Sequence, residues 1–161
     1  MKIRLDAQIS YRVANALKAF ISNRSGGLVI DWVGDDNPPG TTDPTWIKKY
    51  SESGGIAIIS GDGNILQNRA DLVAYIESGL IGFWVPHRFD DLKGYAQAAI
   101  LLRWFPAIVE KVKTSQRGDC WQFPMGWTPD VSAFKQLKDP REHPSAATAR
   151  VAATIHQFRQ K

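Results

Sequence analysis

Three aspartates, Asp6, Asp43 and Asp62, fall at points where an acid can do chemistry. Each follows or opens a regular element, and in an open parallel sheet ligands bind just beyond the C-terminal strand ends, where neighbouring connections leave in opposite directions. Asp6 follows a first strand and Asp62 a third; if the second strand lies outside the first, those two strands are neighbours and their acids meet. Asp43, opening a helix after the second strand, closes the triangle. Three carboxylates brought together repel one another unless a divalent cation neutralises them, and magnesium or manganese suits an all-oxygen ligand set. Such a site suits phosphodiester hydrolysis, because the ion can lower the pKa of bound water and stabilise charge on the leaving oxygen. Ser60 stands close enough in sequence to hold a carboxylate or a water through its hydroxyl. Each acid also has a bland local role: Asp43 before Pro44 reads as a helix cap, and Asp62 before Gly63 as a turn residue. Asp6 is harder to explain in that way, since an acid just inside a buried strand end destabilises unless it is paired.

The elements that must carry these residues are legible as alternating periodicities. Lys2 to Leu5 alternates charged and apolar residues as a first strand, and Ser10 caps a helix with Val13, Ala14, Leu17, Phe20 and Ile21 on one face. After Ser25-Gly26-Gly27, Leu28 to Val33 reads as a second strand. Asp43-Pro44 opens a helix that ends at Gly54. Ile56 to Ile59 is a short β-branched strand, and Ala70 to Ser78 is a helix stopped by Gly79. Leu80 to Val85 is a fourth strand. This β-α-β-α-β-α-β order predicts an α/β domain, a short, mainly parallel sheet of four to five strands flanked by helices. Leu92 to Thr114 is helical, with Pro106 dividing or kinking it into a pair, and Cys120 to Met125 reads as an edge strand. Beyond 127 only Ser145 to Gln160 looks helical, so residues 1–127 are assigned to the domain and 128–161 to a C-terminal extension.

Composition bounds the function. A chain of 161 residues has the size of one domain with a real core. One cysteine, Cys120, and no recognisable signal peptide predict a reducing, cytoplasmic setting. No apolar run reaches membrane-spanning length. A net charge of +4 suits a polyanionic partner.

Several segments together resemble a family. The order is strand-Asp6-helix, Thr42-Asp43 with Trp46-Ile47, then Ile58-Ile59-Ser60-Gly61-Asp62, then Ile65 with Asn68. Gly79-Leu80 with Phe83-Trp84 and a helix bearing Trp104, Pro106 and Ile108-Val109 follow. This pattern, over about Met1 to Trp127, is similar to the PIN-like domains of VapC-type toxins. The resemblance implies a toxin of a type II toxin-antitoxin pair, a ribonuclease that uses a metal ion, is silenced by a small antitoxin protein and forms a homodimer. It carries Asp6, Asp43 and Asp62 over as catalytic metal ligands, with Ser60 and Asn64 as supporting residues. The chain departs from the pattern at Ala7 and Gln8, where relatives have Asn shortly after the first acid, and at Asn64, where many have a further acid. These departures motivate an alternative: a PIN-like module without strong catalysis that binds RNA or a protein.

Lys48, Lys49, Arg69 and Arg88 are candidates to grip RNA phosphates near the acidic end, although each also reads as an ordinary surface charge. His87 follows the fourth strand at the same end, while His143 and His156 lie in the extension without metal-ligand spacing. Trp46, Trp84 and Trp104 sit among apolar residues and read as core; Trp121 and Trp127 read as packing or partner surface. Cys120 reads as packing. A phospho-accepting receiver is a third reading, opposed by Asp6-Ala7, which lacks paired acids, and Val85-Pro86, which lacks the lysine that fold needs.

Overall fold

A computed structural model describes residues 1–21, 27–86 and 88–137. The elements run β1 (Lys2–Leu5), α1 (Tyr11–Ile21), β2 (Val29–Trp32), α2 (Asp43–Glu52), β3 (Ala57–Ser60), α3 (Arg69–Ser78), β4 (Ile81–Trp84), α4 (Gly94–Thr114), β5 (Cys120–Gln122) and β6 (Lys135–Gln136). The helix expected at Ser145 to Gln160, and His87, His143 and His156, lie outside the described residues.

The strands form one sheet in the order β2-β1-β3-β4-β5-β6, all parallel except β6. This is the expected α/β architecture with one more strand than anticipated. The second strand does lie outside the first, so β1 and β3 are neighbours, with Leu5 opposite Ile59. A chain that steps outward from β1 to β2 and then returns past β1 to β3 has its crossovers on opposite faces, because parallel crossovers share one hand. Accordingly α1 and α4 pack on one face over Ile3, Leu5, Ala57, Ile59, Ile81 and Phe83. On the other face α2 and α3 cover Ile58 and Trp84 with Trp46, Ile47, Tyr50 and Tyr75. The switch point is therefore the C-terminal end of β1 and β3.

Three local details differ from the sequence expectations. The region with Pro106 is one helix, α4, rather than a pair. Burial of Leu101, Trp104, Phe105 and Ile108 along a single face outweighs the one backbone hydrogen bond that proline removes. β5 is not an edge, because β6 pairs with it antiparallel. The segment after 127 thus adds a strand to the sheet, and Phe134, just before β6, is buried against Phe83, Trp104 and Phe123. β6 consists of only two polar residues, Lys135 and Gln136, which have no strand periodicity to read.

Candidate active site at the sheet switch point

Asp6 follows β1 directly, and its backbone N–H still donates to Ile59 O, at 3.1 Å, so the residue is held in line with the β1/β3 ladder. Its carboxylate is only 3% exposed. Oδ1 accepts from the N–H groups of Gln8 (3.0 Å) and Ile9 (3.3 Å). Oδ2 accepts from the Ser60 hydroxyl and from the N–H groups of Gly61 (3.1 Å) and Asp62 (3.4 Å). The turn after β1 and the turn after β3 therefore close on one carboxylate. Burial pushes the Asp6 carboxyl up, the Ser60 hydroxyl and the surrounding N–H groups pull it back, and the balance lies at about 6. At neutral pH it is mostly ionised, the state that five converging donors require. Gly61 lies so close to this turn that a Cβ there would stand 2.9 Å from Gln8 Cβ. A side chain at 61 would push the two turns apart.

Asp62 caps a short 3-10 turn (Gly63–Leu66), its Oδ1 accepting from Asn64 N–H at 2.8 Å. Its backbone carbonyl accepts from Trp84 Nε1, at 3.3 Å, which ties this turn to β4. Asp43 is the first residue of α2, not its cap; Thr42 holds the cap position and Pro44 follows. The side chain of Asp43 instead accepts from Trp46 Nε1 at 2.7 Å. Trp46 and Trp84 are buried as expected of core residues, and their indole N–H groups also hold the two acids in place. That second role was not read from the sequence, although an indole three residues after a helix-opening acid is within reach of it.

A fourth acid, missed in the sequence, stands beside them. The carboxyl of Asp71, in the first turn of α3, is raised above its ordinary range by burial and by the charges of Asp43 and Asp62. The charges of Asp43 and Asp62 thus both reach Asp71, while Asp6 is bound into the turns after β1 and β3. The signal for Asp71 is positional: Asn68 caps α3, its side chain accepting from Ala70 N–H at 2.9 Å, and so sets that helix's first turn at the acidic end.

Among proteins of known family, a model described as "PIN like domain" matches residues 1–87, just over half of the chain. The chain belongs to the PIN-like domain family. Searches of curated proteins and of solved structures each returned no match. Members of this family are commonly nucleases, and the matched region holds β1, β3 and all four acids of the site. The family assignment and the switch-point geometry therefore point to the same end of the sheet.

PIN-like domains typically use divalent metals, so the residues must be tested against such an ion. Among the described residues no group of three His, Cys, Asp or Glu side chains is arranged to hold a metal ion. The three-carboxylate pocket expected from Asp6, Asp43 and Asp62 is thus not preassembled. The physical reason is visible at Asp6: a carboxylate offers about four lone-pair sites, and its five donors already occupy them. Asp43 and Asp62 each spend one oxygen on a local bond, and the other oxygen of each carries no hydrogen bond among the described residues. Magnesium is commonly bound by one or two carboxylates together with substrate phosphates. The donor set fits an ion shared with a phosphate at Asp43 and Asp62, and does not fit a protein-only cage.

The four basic candidates divide. Lys49 is committed to Asp36, donating to its backbone carbonyl at 2.7 Å and pairing with its carboxylate at 3.5 Å. Arg88 pairs with Asp91 at 3.5 Å, both exposed. Lys48 and Arg69 line a groove of about 960 Å³ between α2 and α3. A further network lies behind the site. Arg4, 2% exposed, stacks on the Tyr50 ring and pairs with Asp31 (2.7 Å) and Asp36 (3.1 Å), fastening the loop that leads to α2. Among the described residues no helix is long and apolar enough to cross a membrane.

Proposed function

We propose that this PIN-like protein is an endoribonuclease that hydrolyses RNA phosphodiester bonds with a magnesium or manganese ion at Asp43 and Asp62. One observation carries the reading: the charges of Asp43 and Asp62 both act on Asp71, and the turn that carries Asp62 is the one that Asp6 and Ser60 lock. When bound, the ion supplies a more acidic water and charge stabilisation at the leaving oxygen. The chain's own part is to hold the two acids rigidly. Trp46 Nε1 orients the Asp43 carboxylate, Asn64 N–H orients that of Asp62, and Trp84 Nε1 anchors the Asp62 turn. Asp6 acts as a positioning residue, because its carboxylate joins the turn after β1 to the turn carrying Asp62. Ser60 completes that junction, its Oγ also accepting from Asp62 N–H at 2.9 Å. Asp71 adds a further carboxyl at the rim, its pKa raised by burial and by the charges of Asp43 and Asp62.

The resemblance to VapC-type toxins supports a narrower role: a cytoplasmic toxin with a small cognate antitoxin, working as a homodimer. An adjoining reading frame that encodes a small protein with a DNA-binding segment, and that silences the activity on co-expression, supports the toxin role; full activity in its presence opposes it.

The enzymatic reading is tested by incubating the purified protein with single-stranded RNA in magnesium, in manganese and in excess chelator. Cleavage in either metal, lost on chelation and restored by adding metal back, is expected. Intact RNA under every divalent metal would overturn it and leave a binding module, the reading that Ala7, Gln8 and Asn64 motivate.

A further inference from the structure

The groove between α2 and α3 begins where the acids end. Its mouth is lined by Pro44, next to Asp43, and by Asn68 and Arg69, two residues before Asp71; its far end is lined by Ser78 and Arg117. Lys48 on α2 stands five residues from Asp43, about 7.5 Å along the helix axis. It has no ion pair among the described residues. Arg69 opens α3 on the facing wall. The floor between them is apolar, with Val73 and Ala74, and beyond it stand Glu52 and Glu77.

The pattern of charge along the groove is therefore ordered: carboxylates at the site, two cations at the mouth, an apolar floor, then Glu52 and Glu77, with Arg117 at the far end donating to the Ser78 carbonyl at 3.0 Å. A continuous phosphate chain does not suit it, since Glu52 and Glu77 would repel phosphates placed deep in the groove. A single nucleotide does. Its phosphate meets Lys48 and Arg69, its base lies on the apolar floor, and amino groups on the base edge donate to the glutamates, as cytosine N4 donates to acidic side chains. A volume of about 960 Å³ is ample for one nucleotide.

We infer that this groove is a nucleotide subsite that holds the RNA residue beside the cleaved bond, and that it favours a base with an exocyclic amino group over uracil. The inference rests on the ribonuclease reading for its role in cleavage, but binding can be measured separately from turnover. The experiment uses the full chain and labelled hexamers of oligo(A), oligo(C) and oligo(U) in chelator, with affinity followed by fluorescence anisotropy across a salt series. The wild type should bind oligo(A) and oligo(C) more tightly than oligo(U). Lys48→Gln and Arg69→Gln should each weaken binding roughly five- to tenfold and lower the log–log salt slope by about 0.7, the loss of one phosphate contact on a single strand. Glu77→Gln should narrow the difference between oligo(C) and oligo(U). A control, Lys113→Gln on the opposite face of the sheet, should bind as the wild type does.

Wild-type binding by both Lys48→Gln and Arg69→Gln, or equal affinity for all three oligomers, would overturn the subsite even if the protein cleaves RNA in magnesium. Groove-dependent binding by a protein that cleaves under no divalent metal would sustain the subsite and overturn the ribonuclease reading. No RNA binding in chelator would overturn the subsite, and cleavage in magnesium would then decide the ribonuclease reading separately.

Discussion

At the scale of single residues, the two kinds of acid at this site should respond differently to the same substitution. Asp6→Asn replaces one oxygen by an NH2 group facing backbone N–H donors, whichever way the amide turns, so at least one buried N–H loses its acceptor. The expected cost is about 1–3 kcal/mol, read by chemical denaturation. Asp43→Asn and Asp62→Asn keep an oxygen for their single local bond and should change stability by less than about 0.5 kcal/mol. The Asp6 carboxyl also predicts a pH dependence. Its folded value of about 6 lies above the ordinary 3.8, so between those values the folded chain keeps a proton that the unfolded chain has released. The associated stability is full below about pH 4 and is lost as pH rises through about 6, by ~3 kcal/mol in total. Denaturation midpoints measured from pH 4 to 7 should fall with this slope in the wild type and lack it in Asp6→Asn; parallel curves would contradict the assigned environment. From the sequence, Asp6 was conspicuous because a strand-end acid needs a partner. That its partners are five groups of its own chain, rather than an ion, depends on how two turns meet, and residue types alone do not record that.

At the scale of elements, the spacing of apolar residues was enough to find β1 to β4 and α1 to α3, because each has the period of its structure and a marked end. Gly79, at φ +64°, ends α3 in the left-handed conformation glycine favours. β6 escaped notice because two polar residues have no period. Yet the chain leading into it contributes Phe134, 6% exposed, to the aromatic cluster with Phe83, Trp104 and Phe123. Phe134→Ala should therefore destabilise the whole fold by about 3–5 kcal/mol. A thermal melt shifted by no more than a surface substitution would show that the segment after 127 is an appendage. Arg4 was hidden for a different reason: an alternating strand reads as half exposed, whereas α2 covers this arginine with the Tyr50 ring and two aspartates neutralise it.

For the whole molecule, the topology is what turns separate acids into a site. The order β2-β1-β3 brings Asp6 and the Asp62 turn together from 56 residues apart, and the two helices on one face bring Asp43 and Asp71 to the same end. That order enters the sequence reading only as a condition, that the second strand lies outside the first, and the sheet meets it. On the proposed reading Asp43 and Asp62 supply only part of an ion's ligands, so metal binding should be cooperative with RNA: calorimetric affinity for manganese should be weak alone and rise when a non-cleavable RNA is present. The central claim, that Asp43 and Asp62 are the reacting acids and Asp6 their structural support, is tested most directly by single-turnover RNA cleavage in magnesium. Asp43→Asn and Asp62→Asn, shown to be folded by their melts, should lose cleavage by a hundredfold or more, on the order of a missing general acid–base or metal contact. Cleavage at the wild-type rate by both folded variants would contradict the account.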